Sequence, residues 1–214
     1  MGHYEAFNPI PYQAHRRTLG FLRPGSRVLE IGCASGALTE RIEAMGCTVV
    51  GVEREPDAAE KARRFCEDVL VGDVSDMPLD LEPASFDFLL LIDVLEHLVH
   101  PKAAVRRLLP FVRPQGHVVV ALPNVAHWSV RVRLLFGRFD YEDTGLLDRT
   151  HLRFYTPDTA RAMLEEAGLK DLESDIVPDV PLLRYKPRLA RLNYQVARLR
   201  PNLFATEALF VGRP

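Results

Sequence analysis

Apolar positions in this chain alternate between short continuous runs and longer segments where they recur every three or four residues. SRVLEI (26–31), after the turn pair Pro24-Gly25, reads as a first strand. GALTERIEAMG (36–46) follows, with Leu38, Ile42 and Met45 at helical spacing and Gly46 where a C-terminal cap belongs. The alternation continues with a strand at CTVVGVE (47–53) and a helix at EPDAAEKARRFCED (55–68), Pro56 in its first turn. A short strand follows at VLVGD (69–73), then a nearly unbroken apolar strand at FDFLLLI (86–92). PKAAVRRLLPFV (101–112) reads as helical at least in its first part, and GHVVVALP (116–123) as a fifth strand. Continuous apolar strands are buried on both faces, as in a parallel sheet covered by helices. Strands separated by single helices imply right-handed crossovers, hence a Rossmann-like, doubly wound α/β sheet.

Beyond residue 123 the rhythm loosens. Residues 124–156 mix polar and aromatic side chains and hold the only Trp, after which TPDTARAMLEEAG (156–168) predicts a helix capped by Gly168. LKDLESDIV (169–177) and LFATEALFVG (203–212) complete a mostly parallel, seven-stranded sheet, with a basic amphipathic segment (184–201) between them. The expected organisation is one domain over 1–214. It comprises an N-terminal helical segment (1–25), a cofactor-binding half (26–123) and substrate-lid insertions at 124–156 and 178–202 on the strands' C-terminal edge.

Composition narrows the classes. With 47% hydrophobic and 26% charged residues the 214-residue chain has the balance of a globular domain. Its 27 basic and 29 acidic residues give a net charge of −2, so no nucleic-acid partner is expected. Asp93 breaks the longest apolar run well short of the roughly 20 residues of a membrane span. MGHYEAFNP carries no signal pattern, and the odd count of three cysteines shows no CxxC spacing. The chain reads as a reduced, cytoplasmic protein.

Chemistry concentrates in VLEIGCASG (28–36), a glycine turn between strand and helix that lets a ligand approach the backbone. Gly32-Cys33-Ala34-Ser35-Gly36 lacks the Gly-x-Gly-x-x-Gly spacing of a dinucleotide site, and Glu30 precedes it by two positions. Here the chain resembles the class I S-adenosylmethionine-dependent methyltransferases, whose first motif is an acid followed by alternating glycines. Ala34 stands where a glycine is usual, and because alanine resists φ > 0 a slightly different turn is expected. Further matches fall in order: Glu53 closes the second strand, Asp73 and Val74 sit in GDVSDMPL, and Asp93 in LLIDVLEHL. The resemblance implies that Glu53 accepts hydrogen bonds from both ribose hydroxyls. It likewise puts Asp73 on the adenine amino group, the Val74 N–H on the ring, and Asp93 on the methionine side. Glu30, Gly32, Cys33, Ala34, Gly36 and Arg54 complete the cofactor-binding set.

Methyl transfer to a hydroxyl needs alignment and a route for the proton. His97, His127 and His151 are the candidate bases; His3, His15, His100 and His117 are assigned no chemical role. Asp93, Glu96 and His97 form an acid-x-x-Glu-His string, similar to one that holds a divalent metal in ubiquinone-pathway and small-RNA 2′-O-methylating methyltransferases. Such strings also occur in members without metal, where they shape the pocket. Pro123, Asn124, His127 and Trp128 follow strand five, from which family members reach substrate. PNVAHW and DRTHLRFYT look like a subgroup of bacterial methyltransferases found beside glycosyltransferases. The expected activity is O-methylation of a small molecule or saccharide, with a non-catalytic cofactor-binding subunit and a nicotinamide oxidoreductase as alternatives. The six Arg/Lys residues of 184–201 fit an anionic substrate, a membrane surface or a solvated helix face.

Overall fold

The computed structural model describes residues 12–214, so His3 and the first part of the expected N-terminal segment lie outside the described residues. Seven strands form one sheet: β1 (Arg27–Ile31), β2 (Thr48–Glu53), β3 (Asp68–Val71), β4 (Phe86–Ile92), β5 (Val112–Pro123), β6 (Lys170–Pro178) and β7 (Ala205–Arg213). Their spatial order is β3-β2-β1-β4-β5-β7-β6. All neighbours pair in parallel except β7, which runs antiparallel to both β5 and β6. The strand order reverses between β1 and β4, the switch point where open α/β sheets place ligands.

The helices are α1 (Ala14–Phe21), α2 (Thr39–Glu43), α3 (Pro56–Ala62), α4 (Pro101–Leu108), α5 (Trp128–Leu135), α6 (Pro157–Ala167), α7 (Ala190–Leu199) and α8 (Pro201–Phe204). Alternate strand residues serve the two faces. Leu29, Leu89, Val118 and Phe210 pack with Val105 and Leu108 of α4 and Leu164 of α6. Val28, Val49, Phe88 and Leu90 face the other way, onto Leu38 and Ile42 beside and within α2. The central strands therefore carry apolar residues on both faces along most of their length, which is why their sequences show little alternation.

Three expectations are corrected. The helix expected over 36–46 shrinks to the five residues of α2, because Gly36 is left-handed (φ +87°) and belongs to the turn. The helix expected over 55–68 ends at Ala62 and tightens into a 3₁₀ turn, Arg63–Phe65. The fifth strand begins at Val112, four residues early, through a register shift against β4 between Phe86 and Phe88. Helix α6 matches its signals: Thr156 and Thr159 form a reciprocal capping box, and Gly168 closes it at φ +112°.

Candidate active site

The turn after β1 is a local solution to a crowding problem. Gly32 (φ +72°) lies so close to Val94 that a Cβ would come within 2.8 Å of its Cγ2. A Cβ on Gly36 would meet Phe65 at 2.9 Å and the Ala62 backbone at 3.1 Å, so that glycine lets α3 pack against the turn. Ala34 adopts φ +47°, so the expectation of a different turn is overturned: the alanine takes the left-handed conformation a glycine would use. Its N–H donates to Glu53 Oε2 at 2.9 Å, which holds it there, while the Glu55 N–H donates to Glu53 Oε1 at 2.8 Å. Glu53 thus ties the tip of β2 to the turn after β1.

Around this turn a cavity of about 720 Å³ opens across the C-terminal ends of β1, β2, β3 and β4. Glu30, Gly32, Cys33, Ala34, Glu53, Arg54, Asp73, Val74, Asp93 and His97 all line it; Gly36 does not. Burial pushes the Glu30 carboxyl up to about 7 although Thr39 Oγ1 donates to it at 2.7 Å. Asp73 is held below its usual range chiefly by the Ser75 N–H, 2.8 Å from Oδ1. The Val74 carbonyl takes Arg107 Nη1 at 2.8 Å, which fixes the loop after β3. Cys33 packs among Ala59, Ala62 and Val69, and a hydrogen bond with Cys66, followed by burial, raises its thiol above the usual cysteine range.

A second cavity, about 740 Å³, occupies the other half of the same edge, where β4, β5 and β6 end and antiparallel β7 begins. Asp93, Pro123, Asp179 and Glu207 come from those strand ends, and Asp93 lines both cavities. Thr144, Gly145, Leu146 and His151 reach it from the first insertion, Leu183–Pro187 and Asn193 from the second. At the junction, the loop after β4 forms a 3₁₀ turn, Leu95–His97, and the Glu96 carbonyl accepts the Leu152 and Arg153 N–H groups. That strap brings His151 over His97, ring centroids 4.8 Å apart, with His151 Nε2 4.0 Å from Glu96 Oε1. His97 Nδ1 lies 3.2 Å from the Thr150 carbonyl. Both Glu96 carboxylate oxygens and one of Glu207 are buried without a hydrogen-bond partner among the described residues. Burial drives Asp93 up to about 7 and raises Glu96 and Glu207 well above the usual carboxylate range, with Asp93 adding to the cost of ionising both and Glu207 to that of Glu96. Burial, and then His97, lower His151.

A family model described as a methyltransferase domain matches residues 4–174. The chain belongs to this methyltransferase-domain family. It is 31% identical over 127 residues to a ubiquinone biosynthesis O-methyltransferase of Xanthomonas campestris pv. campestris (strain B100), a match covering 56% of this chain and 51% of that one. The chain thus spans about half the length of that relative. A protein of the same name from Idiomarina loihiensis is 26% identical over 186 residues, covering 83% of this chain and 76% of the other. The crystal structure of a SAM-dependent methyltransferase from Archaeoglobus fulgidus superimposes with a TM-score of 0.64 at 19% identity. It covers 93% of this chain and 90% of that chain, and so shares the fold.

Within this methyltransferase domain the histidines part company. His97 lines the first cavity and His151 the second, whereas His127 lines neither. His127 is buried in the packing, Nδ1 2.8 Å from Ser129 Oγ and Nε2 3.4 Å from Asp179 Oδ2. Trp128 Nε1 donates to the Asp179 carbonyl at 3.0 Å, and Asn124 Nδ2 to the Ala205 carbonyl at 2.7 Å. Of the residues expected to reach substrate from the end of strand five, only Pro123 touches the second cavity; the others brace the two insertions. His15, assigned no role, lines the first cavity from α1. Arg184 falls within the basic segment 184–201 already read as fitting an anionic substrate, whereas Glu207 and Asp179 were missed. Nothing in local sequence marks them, because only the antiparallel placement of β7 and the end of β6 bring them to this edge.

Proposed function

We propose that this chain transfers a methyl group from S-adenosylmethionine to an oxygen atom of a small-molecule or saccharide acceptor. The observation that carries the reading is the pair of cavities meeting at Asp93, one built on the cofactor-type turn and the other walled by the two insertions. S-adenosylmethionine supplies a methyl on a sulfonium, a good leaving group, so the domain's task is alignment and deprotonation. Glu53 accepts one backbone N–H on each oxygen and keeps a lone pair on each for vicinal ribose hydroxyls. Asp73 and the Val74 N–H take the adenine, while Glu30, Gly32 and Asp93 border the sulfonium end. The relatives' name, O-methyltransferase, supports oxygen as the acceptor atom.

The junction also fits a divalent cation. One ligand atom from each of Glu96, His97 and His151 lies within 4.8 Å of the others, and the Glu96 oxygens lack partners. His97 can donate Nδ1–H to the Thr150 carbonyl, leaving Nε2 as ligand, the usual outer-shell arrangement for a metal histidine. A cation there would acidify an acceptor hydroxyl; Asp93 borders the same point and orients that hydroxyl toward the cofactor cavity. Without a cation, His151 is the base best placed for its proton.

Calorimetry with S-adenosylhomocysteine tests the cofactor half. A mass-spectrometric screen of phenols, sugars and carboxylates for products heavier by one CH₂ tests the transfer. Absence of both binding and product overturns the proposal. Full activity after exhaustive chelation removes the cation alone.

A further inference from the structure

The segment 180–206 carries six cationic side chains (Arg184, Lys186, Arg188, Arg191, Arg198, Arg200) and no Asp or Glu, in a chain whose net charge is −2. Among the described residues only Arg184 of the six has a carboxylate partner, Asp179. Helix α7 buries one side: Asn193 Oδ1 accepts the Val180 N–H at 2.9 Å, and Ala197 packs with Ile176, Val180 and Ala205. Its other side presents Arg191, Leu192, Gln195, Arg198 and Leu199, a contiguous arc with two arginines along one margin and two leucines along the other. Leu199 is 77% exposed and Leu192 45%; in the preceding turn Leu182 is 76% exposed and Tyr185 73%. A solvated helix face explains the arginines but leaves four large apolar side chains in water beside them.

We infer that α7 and the turn before it form a docking surface for an anionic lipid bilayer. Cations without a carboxylate partner among the described residues attract acidic headgroups. The Leu and Tyr side chains beside them enter the headgroup boundary. The surface is continuous with the second cavity, since Leu183, Arg184, Tyr185, Lys186, Pro187 and Ala190 line that cavity's wall. A docked molecule therefore holds this wall against the membrane.

Vesicle co-sedimentation tests the surface without cofactor or acceptor, so it succeeds or fails apart from the transfer reaction. The protein should pellet with vesicles containing phosphatidylglycerol, stay in solution with pure phosphatidylcholine, and be released by high salt. The double variant Arg191→Glu, Arg198→Glu should lower the partition coefficient about tenfold or more. Leu192→Ser with Leu199→Ser should lower it while keeping the preference for anionic vesicles. Lys170→Glu with Arg213→Glu makes the same charge change at the far end of β6 and β7 and should leave binding intact. Circular dichroism confirms that each variant is folded. Equal binding to both vesicle types, no binding to either, or α7 variants that bind like the parent would overturn the inference.

Discussion

Glu30 is a carboxylate that the fold makes expensive to ionise. In an unfolded chain it would release its proton near pH 4.5; in the folded protein burial delays release to about 7. The folded state binds the extra proton across that window, so Glu30's contribution to stability falls as pH rises from 4.5 to 7 and then stays level. Glu30→Gln keeps an acceptor for Thr39 and removes the fall. Its stability should match the parent near pH 4.5 and exceed it by about 3 kcal/mol above pH 7 in denaturant titrations. Glu53 matters instead as an acceptor whose loss frees two backbone N–H groups. Glu53→Ala should weaken S-adenosylhomocysteine affinity by roughly 1–3 kcal/mol in calorimetry; unchanged affinity would remove it from the site. The acids at 30, 53, 73 and 93 were legible because each ends or follows a strand at the spacing of a βα unit. Ala34 was misread. Steric preference alone argues against φ > 0, yet a hydrogen bond from a residue 19 positions away holds it there.

Elements were legible where periodicity was strong and uninterrupted. Strands β1, β2 and β4 emerged nearly intact from their apolar runs, and α6 from its cap residues. Helix α2 did not, because the helical spacing of Leu38, Ile42 and Met45 continues through residues whose backbone is set by the turn and by the approach of α3. That approach is itself testable. Gly36→Val places a branched side chain against Phe65 and the Ala62 backbone at a left-handed φ. It should cost about 2–4 kcal/mol in thermal or denaturant unfolding, with α3 displaced. A neutral outcome would mean that the turn and α3 are not locked together.

At the scale of the whole molecule, one sheet edge is divided between two cavities, with the end of β4 as the common boundary. The division predicts separable phenotypes. Asp179 accepts from Trp128 and Arg184 and faces His127, so it ties the two insertions together. Asp179→Ala should raise the acceptor KM about tenfold through the loosened wall while S-adenosylhomocysteine affinity stays constant. Steady-state kinetics beside calorimetry distinguish this from a general loss of structure. His127→Ala should behave the same way and leave the pH profile of kcat unchanged, since His127 is buried against Asp179 and lines neither cavity. Half of this edge was readable in advance because residues 28–97 supply it in sequence order. The other half was readable only in part: Asp93 and His151 stand out in the sequence, whereas Asp179 and Glu207 lie on distant stretches of chain that converge only through strand pairing.

That pairing also dictates an order of assembly. Strand β7 follows β6 in the chain yet lies between β6 and β5, so β6 has nothing in the sheet to bond until its successor is laid down. During synthesis β5 must therefore wait with a bare row of amides, a template for any passing strand. The same late arrival that closes this hazard carries the Glu207 side chain into the second cavity. A ribosome-bound chain halted just short of that arrival would hold the first cavity complete and its counterpart still missing a wall.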